Sequence, residues 1–469
     1  MLIHKVFDKI SLFAGMYKIR KLLEAVHSLN STQLWNTSCE VIIGGCGLLS
    51  KRPTRYSART WPTYMRKTHG IKICSWDNIT YRDFTEFSIG CALLGYRPKS
   101  HSSIKNQLSI LSPLSSLLSP YEPTLAIELN KFLGEGRVWK FCRGGGEALA
   151  ITVRMARSVA LNTRVLVCGY HGTHDWYLSS NLSTTNDLSQ VFLGGISVDG
   201  IPQAYSGTTV CLRAFSAESL QISIARENPG VIFFEACRYE LLNSKIVEIL
   251  KDFQAKGGVL VADEVTSGFR FKSKLAVYEC GIIPDFIVLG KSLGNGYAIS
   301  AVGAFSYYSD KLESCFLSST HWTESIGLQA GVCSLHAWKK WDIFYNKISE
   351  NGKALRQAII NSFTASGLSL IINDVPTMIT YQIAPYQEFS SAELRTLLIN
   401  RMLAKKFLLS TTIYPSIKHT RRQTSKLEKA LTECCSALFY DATHNKDVLR
   451  TELENMGNTE MGFARTQKL

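Results

Sequence analysis

The stretch PDFIVLGKSLGNG, residues 284–296, sets one lysine, Lys291, between a continuous apolar run and a glycine-rich turn. About one strand–helix–strand unit upstream lies VLVADEVTSGFR (259–270), an apolar run that ends in two acids, Asp263 and Glu264. Further back, RVLVC (164–168) and GVIFF (230–234) have the same form. Short runs with no polar alternation are what strands buried on both faces of a parallel sheet look like. Helical patterns separate them, GEALAITVRMARSVA before the first and SKIVEILKDFQAKG before the third. Strands alternating with helices predict an α/β domain with a mostly parallel central sheet and right-handed crossovers. Ligands gather at the carboxyl ends of such strands, where Asp263, Tyr170 and Lys291 all fall.

Around this centre the pattern thins. Residues 1–28 place apolar side chains at helical spacing among basic ones, which reads as an amphipathic helix packed on the protein or a partner rather than as an anchor or presequence. Residues 30–60 read as irregular. Short β-like pieces, IKICSW and YRDFTEF, predict an N-terminal part of a small lobe over 61–110. The large domain spans 111–345. Beyond it, helices over 352–366, 391–405 and 424–438 around LSLIIND and TMITYQI predict a smaller C-terminal α/β lobe at 346–469.

The composition, 45% hydrophobic and 19% charged, is that of an ordinary globular protein. The formal net charge is +14, but the basic residues are scattered, with no zinc-finger spacing, aromatic RNA-binding string or basic tail. The charge therefore favours an anionic small molecule over nucleic acid. Thirteen cysteines without a C-x-x-C pair fit a reduced, cytoplasmic setting. No run reaches the roughly 18–20 apolar residues of a membrane span.

The chemistry is carried by residue types. A lysine at 291 can form an imine with an aldehyde, and a buried carboxylate at Asp263 can hold a pyridinium N–H. These are the two groups that pyridoxal 5'-phosphate most needs from a protein. Val265 would then touch a ring face, and Tyr170, in VLVCGYHGTHDWY, would stack on it, with His171 beside it. In FCRGGGEALAI, Gly144 to Gly146 stand immediately before a helical pattern whose unpaired N–H groups suit a phosphate. His174 and Asp175 read as loop residues, because metal ligation needs partners that the sequence does not supply. No metal is expected.

RGGGEA (143–148), GYHG (169–172), DEVTSGFR (263–270), PDFIVLGKSLGNG and SSTHWTESIGLQAG (318–331) stand in one order around that lysine. Together they resemble the class III pyridoxal phosphate-dependent aminotransferases, nearest to the glutamate-1-semialdehyde 2,1-aminomutase-like branch. The resemblance covers roughly Trp76 to Lys340 and thins towards IYPSIKHT (413–420). It implies a fold-type I transferase in which Lys291 is the Schiff-base lysine and carries protons. Asp263 would pair with the pyridine nitrogen, and Val265 and Tyr170 would flank the ring. Gly145 and Gly146 would bind phosphate. Thr320 would reach the phosphate of a neighbouring subunit, so a homodimer with shared sites is implied. Glu235 matches an acid at the end of a family strand. The substrates implied are a small amino donor and an aldehyde or ketone acceptor, or a single molecule rearranged.

Departures are visible. The glycine loop lacks the family's hydroxyls, Ala236 replaces a usual proline, and Ser410 to Ser416 contain no acid where the aminomutase branch carries one. Arg143 either binds an anion or is a solvated charge. Racemisation or decarboxylation on the same cofactor, and a degenerate homologue acting as a binding subunit, are the alternative readings.

Overall fold

The computed structural model describes residues 26, 28–108, 110, 112–182, 197–212, 214 and 216–457. The amphipathic segment 1–28 therefore lies outside the described residues, apart from Val26 and Ser28. Three antiparallel strands come first, β1 (Met65–His69), β2 (Lys72–Ser75) and β3 (Thr80–Phe84). The next seven are β4 (Arg137–Cys142), β5 (Val165–Cys168), β6 (Thr209–Cys211), β7 (Val231–Phe234), β8 (Val259–Asp263), β9 (Phe286–Leu289) and β10 (Ser300–Phe305). They form one sheet in the order β4-β10-β9-β8-β7-β5-β6. Neighbours from β9 to β6 are parallel, whereas β10 runs antiparallel to both β9 and β4.

The continuous apolar runs are explained by cover on both faces. Ile232, Phe234, Leu260, Ala262, Ile287 and Leu289 join the core on one side. Their alternates Val231, Phe233, Val259, Val261, Phe286 and Val288 join the core on the other. Each Val, Leu, Ile or Phe among them contributes about 1.5–3 kcal/mol on full burial, which favours apolar side chains at successive positions of these strands.

Two expectations need correction. Residues 30–60 are not all irregular: Ser31–Val41 is a helix closed by a capping box. There Asn30 Oδ1 accepts the Gln33 N–H at 2.9 Å, and Gln33 Oε1 accepts the Asn30 N–H at 3.0 Å. Its buried residues, Ser31 and Ser38, leave no apolar stripe to read, although Asn-x-x-Gln is itself a start signal. The helix expected over 352–366 begins earlier, at Trp341, and runs to Ser366.

The remaining strands are β11 (Leu370–Ile372), β12 (Ile379–Ile383), β13 (Phe407–Leu409) and β14 (Thr412–Ile413). Strand β13 pairs parallel with β3, so distant parts of the chain share one sheet. His419 locks the same joint. Its ring is fully buried against Phe84 and Phe87. The Ser416 N–H donates to Nδ1 at 3.0 Å, which leaves Nε2–H to donate to the Asp83 carbonyl at 2.9 Å. That pattern requires the neutral ring, and burial pushes its pKa from 6.5 down to about 4.

A histidine whose folded pKa is depressed contributes stability that is present above the unfolded value and lost as pH falls through the folded one. Denaturant titrations should therefore show stability declining as the pH falls from 6.5 towards 4. The variant His419→Phe should lose about 1–3 kcal/mol at neutral pH, because two buried polar groups lose their partner, yet show a shallower acid decline. An unchanged acid slope in the variant would contradict this assignment.

Candidate active site

Strand β8 delivers its last residue, Asp263, to the carboxyl edge of the sheet, where it is buried. Both oxygens are held. Oδ1 accepts the Val265 N–H at 3.0 Å, and Oδ2 lies 2.9 Å from His171 Nδ1. A carboxylate has about four acceptor positions, so room remains for a further donor. His171 thus stands behind Asp263. Its ring is completely buried and meets Tyr177 and Phe233 edge-on.

The following acid serves the backbone. Glu264 accepts from Ser267 Oγ at 2.6 Å and from the N–H groups of Ala276 and Val277 at 3.1 and 2.7 Å. Burial nevertheless pushes its pKa up to about 7, against the lowering effect of those bonds. The two acids are therefore distinct: Glu264 ties the turn to the next helix, and Asp263 faces the site.

Lys291 follows β9 through Gly290 and starts a single helical turn. Its backbone is left-handed, with φ of 40°. For a residue with a side chain this is a strained state that the surroundings must impose. They do so through the next residues. Ser292 Oγ donates to the Gly90 carbonyl at 3.0 Å, and Asn295 accepts the Leu94 N–H at 2.8 Å while donating to the Gly95 carbonyl at 3.1 Å. Lys291 Nζ lies 2.7 Å from Thr266 Oγ1, on the turn that follows Asp263.

The segment from the N-terminal sheet that meets this loop is itself left-handed. Phe87, Ser88, Ile89 and Gly90 have φ of 44°, 58°, 55° and 85°. Such a run is rare for residues with side chains, most of all for β-branched Ile89. Buried Arg270 clamps it, donating to the Gly90 carbonyl at 2.8 Å and lying 4.9 Å over the Tyr414 ring. Burial lowers the pKa of this guanidinium to about 10. Nearby, Ser410 Oγ donates to Glu86 at 3.3 Å, so an acid reaches the 410–416 segment from another part of the chain.

The glycine loop completes the site. Gly144 caps the helix Gly145–Val159, and Glu147 reaches back to the N–H groups of Arg143 and Gly144 at 2.8 and 3.3 Å. The amides of Gly145 and Gly146 lie in the first turn, where a helix supplies no acceptor. A Cβ on Gly145 would lie 2.8 Å from Val265, and one on Gly146 would lie 3.1 Å from the His174 ring. The loop, Val265 and the turn at Gly290, whose Cβ would lie 3.3 Å from Val265, thus converge.

Arg143 departs from both roles considered for it. Its guanidinium donates to the carbonyls of His321, Ala298, Trp322 and Glu324 at 2.5, 3.1, 2.7 and 2.9 Å and lies 3.3 Å from the Glu324 carboxylate. It staples the 320–324 turn to the glycine loop. Thr320 opens that turn and is exposed. Tyr170 follows β5, is 36% exposed, and meets Tyr177 edge-on. Its N–H donates to Glu235 at 3.0 Å. Arg238 holds the same carboxylate oxygen. Gly169, at φ of 145°, gives Glu235 room, since a Cβ there would lie 2.7 Å from the carboxylate.

A carboxylate with a spare acceptor position, an amine on a fixed backbone and open helix-start amides too crowded for side chains fit pyridoxal 5'-phosphate, and they stand at the edge of a sheet of the fold-type I kind. Residues 55–367 match the aminotransferase class-III family, and the chain belongs to it. It is accordingly a pyridoxal 5'-phosphate-dependent enzyme of amino-group transfer. The chain is similar to the 2'-deamino-2'-hydroxyneamine transaminase of Streptomyces kanamyceticus, 25% identical over 309 residues, 66% of this chain and 74% of that one. It is 24% identical to the glutamate-1-semialdehyde 2,1-aminomutase of Sulfurisphaera tokodaii over 75% of this chain and 84% of the relative. Among solved structures, the FumI protein of a Sphingopyxis species superposes with a TM-score of 0.77 at 20% identity, covering 90% of this chain and 99% of that one. A glutamate-1-semialdehyde aminomutase of Pseudomonas aeruginosa gives 0.72 at 16%, over 86% and 93%. Among the described residues, no helix is long and apolar enough to cross a membrane.

The glycine loop supplies an internally controlled test. Overpacking a filled site costs about 1–3 kcal/mol, so Gly145→Ala should weaken cofactor binding by roughly tenfold or more. Gly144→Ala, with nothing within 4 Å of its Cβ, should bind as the wild type does. Fluorescence titration of the apoprotein with cofactor reads both. Equal affinities for the two variants would remove Gly145 from the site.

Proposed function

We propose that this protein moves an amino group from a small-molecule donor to an aldehyde or ketone acceptor, or between two carbons of one molecule, with Lys291 as covalent anchor and proton carrier. The observation that carries the reading is the convergence of Lys291, Asp263, Val265 and the glycine loop at one edge of the sheet. Bound there, pyridoxal 5'-phosphate supplies an aldehyde for amine exchange and a ring that accepts electrons from the carbon bearing the amine.

Each side chain then has a defined task. Lys291 Nζ is the amine that would hold the cofactor through its aldehyde carbon and give up that place to the donor amine. As a free amine it would serve as general base towards the donor carbon and then as general acid, both tasks falling to a single group. The Asp263 carboxylate, oriented by its contact with His171, would hold the proton of the ring nitrogen. Val265 supports one ring face. Tyr170, whose backbone N–H is bound by Glu235, would stack on the ring. The amides of Gly145 and Gly146 bind phosphate without help from hydroxyls.

The same reading extends to assembly. Exposed Thr320 sits on a turn that Arg143 holds rigid, and this supports a homodimer in which Thr320 serves the phosphate of the other subunit. Unpaired cysteines throughout the described residues support a cytoplasmic, reducing setting.

The purified protein mixed with cofactor should develop a visible absorption band that Lys291→Ala abolishes while the variant still binds cofactor non-covalently. A panel of amino donors without acceptor should then bleach the wild-type band with one donor class. A single compound that gives product without acceptor selects the rearrangement. No band in the wild type would overturn the proposal.

A further inference from the structure

We infer that Thr266 is a positioning residue for Lys291: its hydroxyl is the docking point that holds and aims the lysine amine whenever that amine is not bonded to the cofactor. The inference rests on the reading of Lys291 as anchor and proton carrier. It begins with the 2.7 Å separation between Lys291 Nζ and Thr266 Oγ1.

Both ends of that contact are fixed. Thr266 lies in the turn after β8, where the Val265 N–H is bound by Asp263, the Gly268 N–H donates to the Glu264 carbonyl at 2.8 Å, and Arg270 Nε donates to the Thr266 carbonyl at 3.2 Å. Buried Glu264 ties the turn to Ala276 and Val277. At the other end, the left-handed backbone of Lys291 is held by Ser292 and Asn295. The hydroxyl therefore stands at a set distance from the root of a long flexible side chain, and catching its tip removes the search through rotamers before each proton transfer.

The chemistry of the partner matters as much as its place. A carboxylate in this position would favour the charged ammonium and hold the proton that the amine must exchange. A hydroxyl can accept from the amine or donate to its lone pair, so it holds both forms without adding charge.

The test follows covalent attachment and non-covalent binding separately. Apoproteins of the wild type, Thr266→Ser and Thr266→Val are mixed with pyridoxal 5'-phosphate, and the growth of the visible band is timed. Their affinity for pyridoxamine 5'-phosphate, which has no aldehyde for Lys291 to attack, is titrated in parallel. Losing one well-placed hydrogen bond should slow attachment in Thr266→Val about tenfold, with Thr266→Ser near the wild type and pyridoxamine 5'-phosphate affinity equal in all three. Attachment by Thr266→Val at the wild-type rate would overturn the inference. So would a loss of pyridoxamine 5'-phosphate affinity as large as the loss of rate, which would make Thr266 merely structural. A wild type that forms no band sinks the anchor reading itself, a separate result.

Discussion

The carboxylate of Asp263 is the group on which the rest of the site depends. It ends a strand that is buried on both faces, so its position is set by the sheet and not by a loop. One oxygen is tied to the backbone of Val265 and the other to His171, which is itself walled in by aromatic rings. Nothing at this place can turn without breaking a buried polar contact, which costs about 1–3 kcal/mol. The neighbouring positions inherit that rigidity. Val265 packs towards Gly145 and Gly290, and Thr266 meets Lys291.

Two buried or half-buried arginines make the frame continuous. Arg270 joins the turn after β8 to Gly90 and, at 3.4 Å, to the Pro415 carbonyl. Arg143 joins the glycine loop to four carbonyls of distant loops. Both use the five donors of a guanidinium to satisfy backbone oxygens that would otherwise be left in loops. The strained stretches, Phe87–Gly90 and Lys291, lie beside these clamps. Strain of this kind persists only where the surroundings over-determine it, and these clamps are such surroundings.

Much of this was legible in the chain, for physical reasons. Runs such as VLVA and FIVL announce doubly covered strands because a parallel sheet with both faces covered favours apolar side chains at successive positions. Lys291 and Asp263 stood out because each follows such a run, and the glycine loop because three glycines precede a helical pattern. What stayed hidden depends on partners far apart in sequence. Arg143 meets carbonyls up to 181 residues away, so a lone arginine before a glycine loop looked like a ligand or a free charge. The antiparallel course of β10 is invisible because its run, SAVGAF, resembles its neighbours. The left-handed turn was signalled only by Gly90, since Phe87, Ser88 and Ile89 are residue types that avoid it. The contact of His171 with Asp263, 92 residues away, could not be read from its adjacency to Tyr170.

The central claim is that this frame presents one lysine to the cofactor. It is tested most directly by reducing the cofactor-loaded protein with borohydride and mapping the modified peptide by mass spectrometry. The account predicts the pyridoxyl group on Lys291, in the peptide containing FIVLGKSLGNG. A pyridoxyl group on another lysine, or no modified peptide from a protein that has taken up the cofactor, would contradict it.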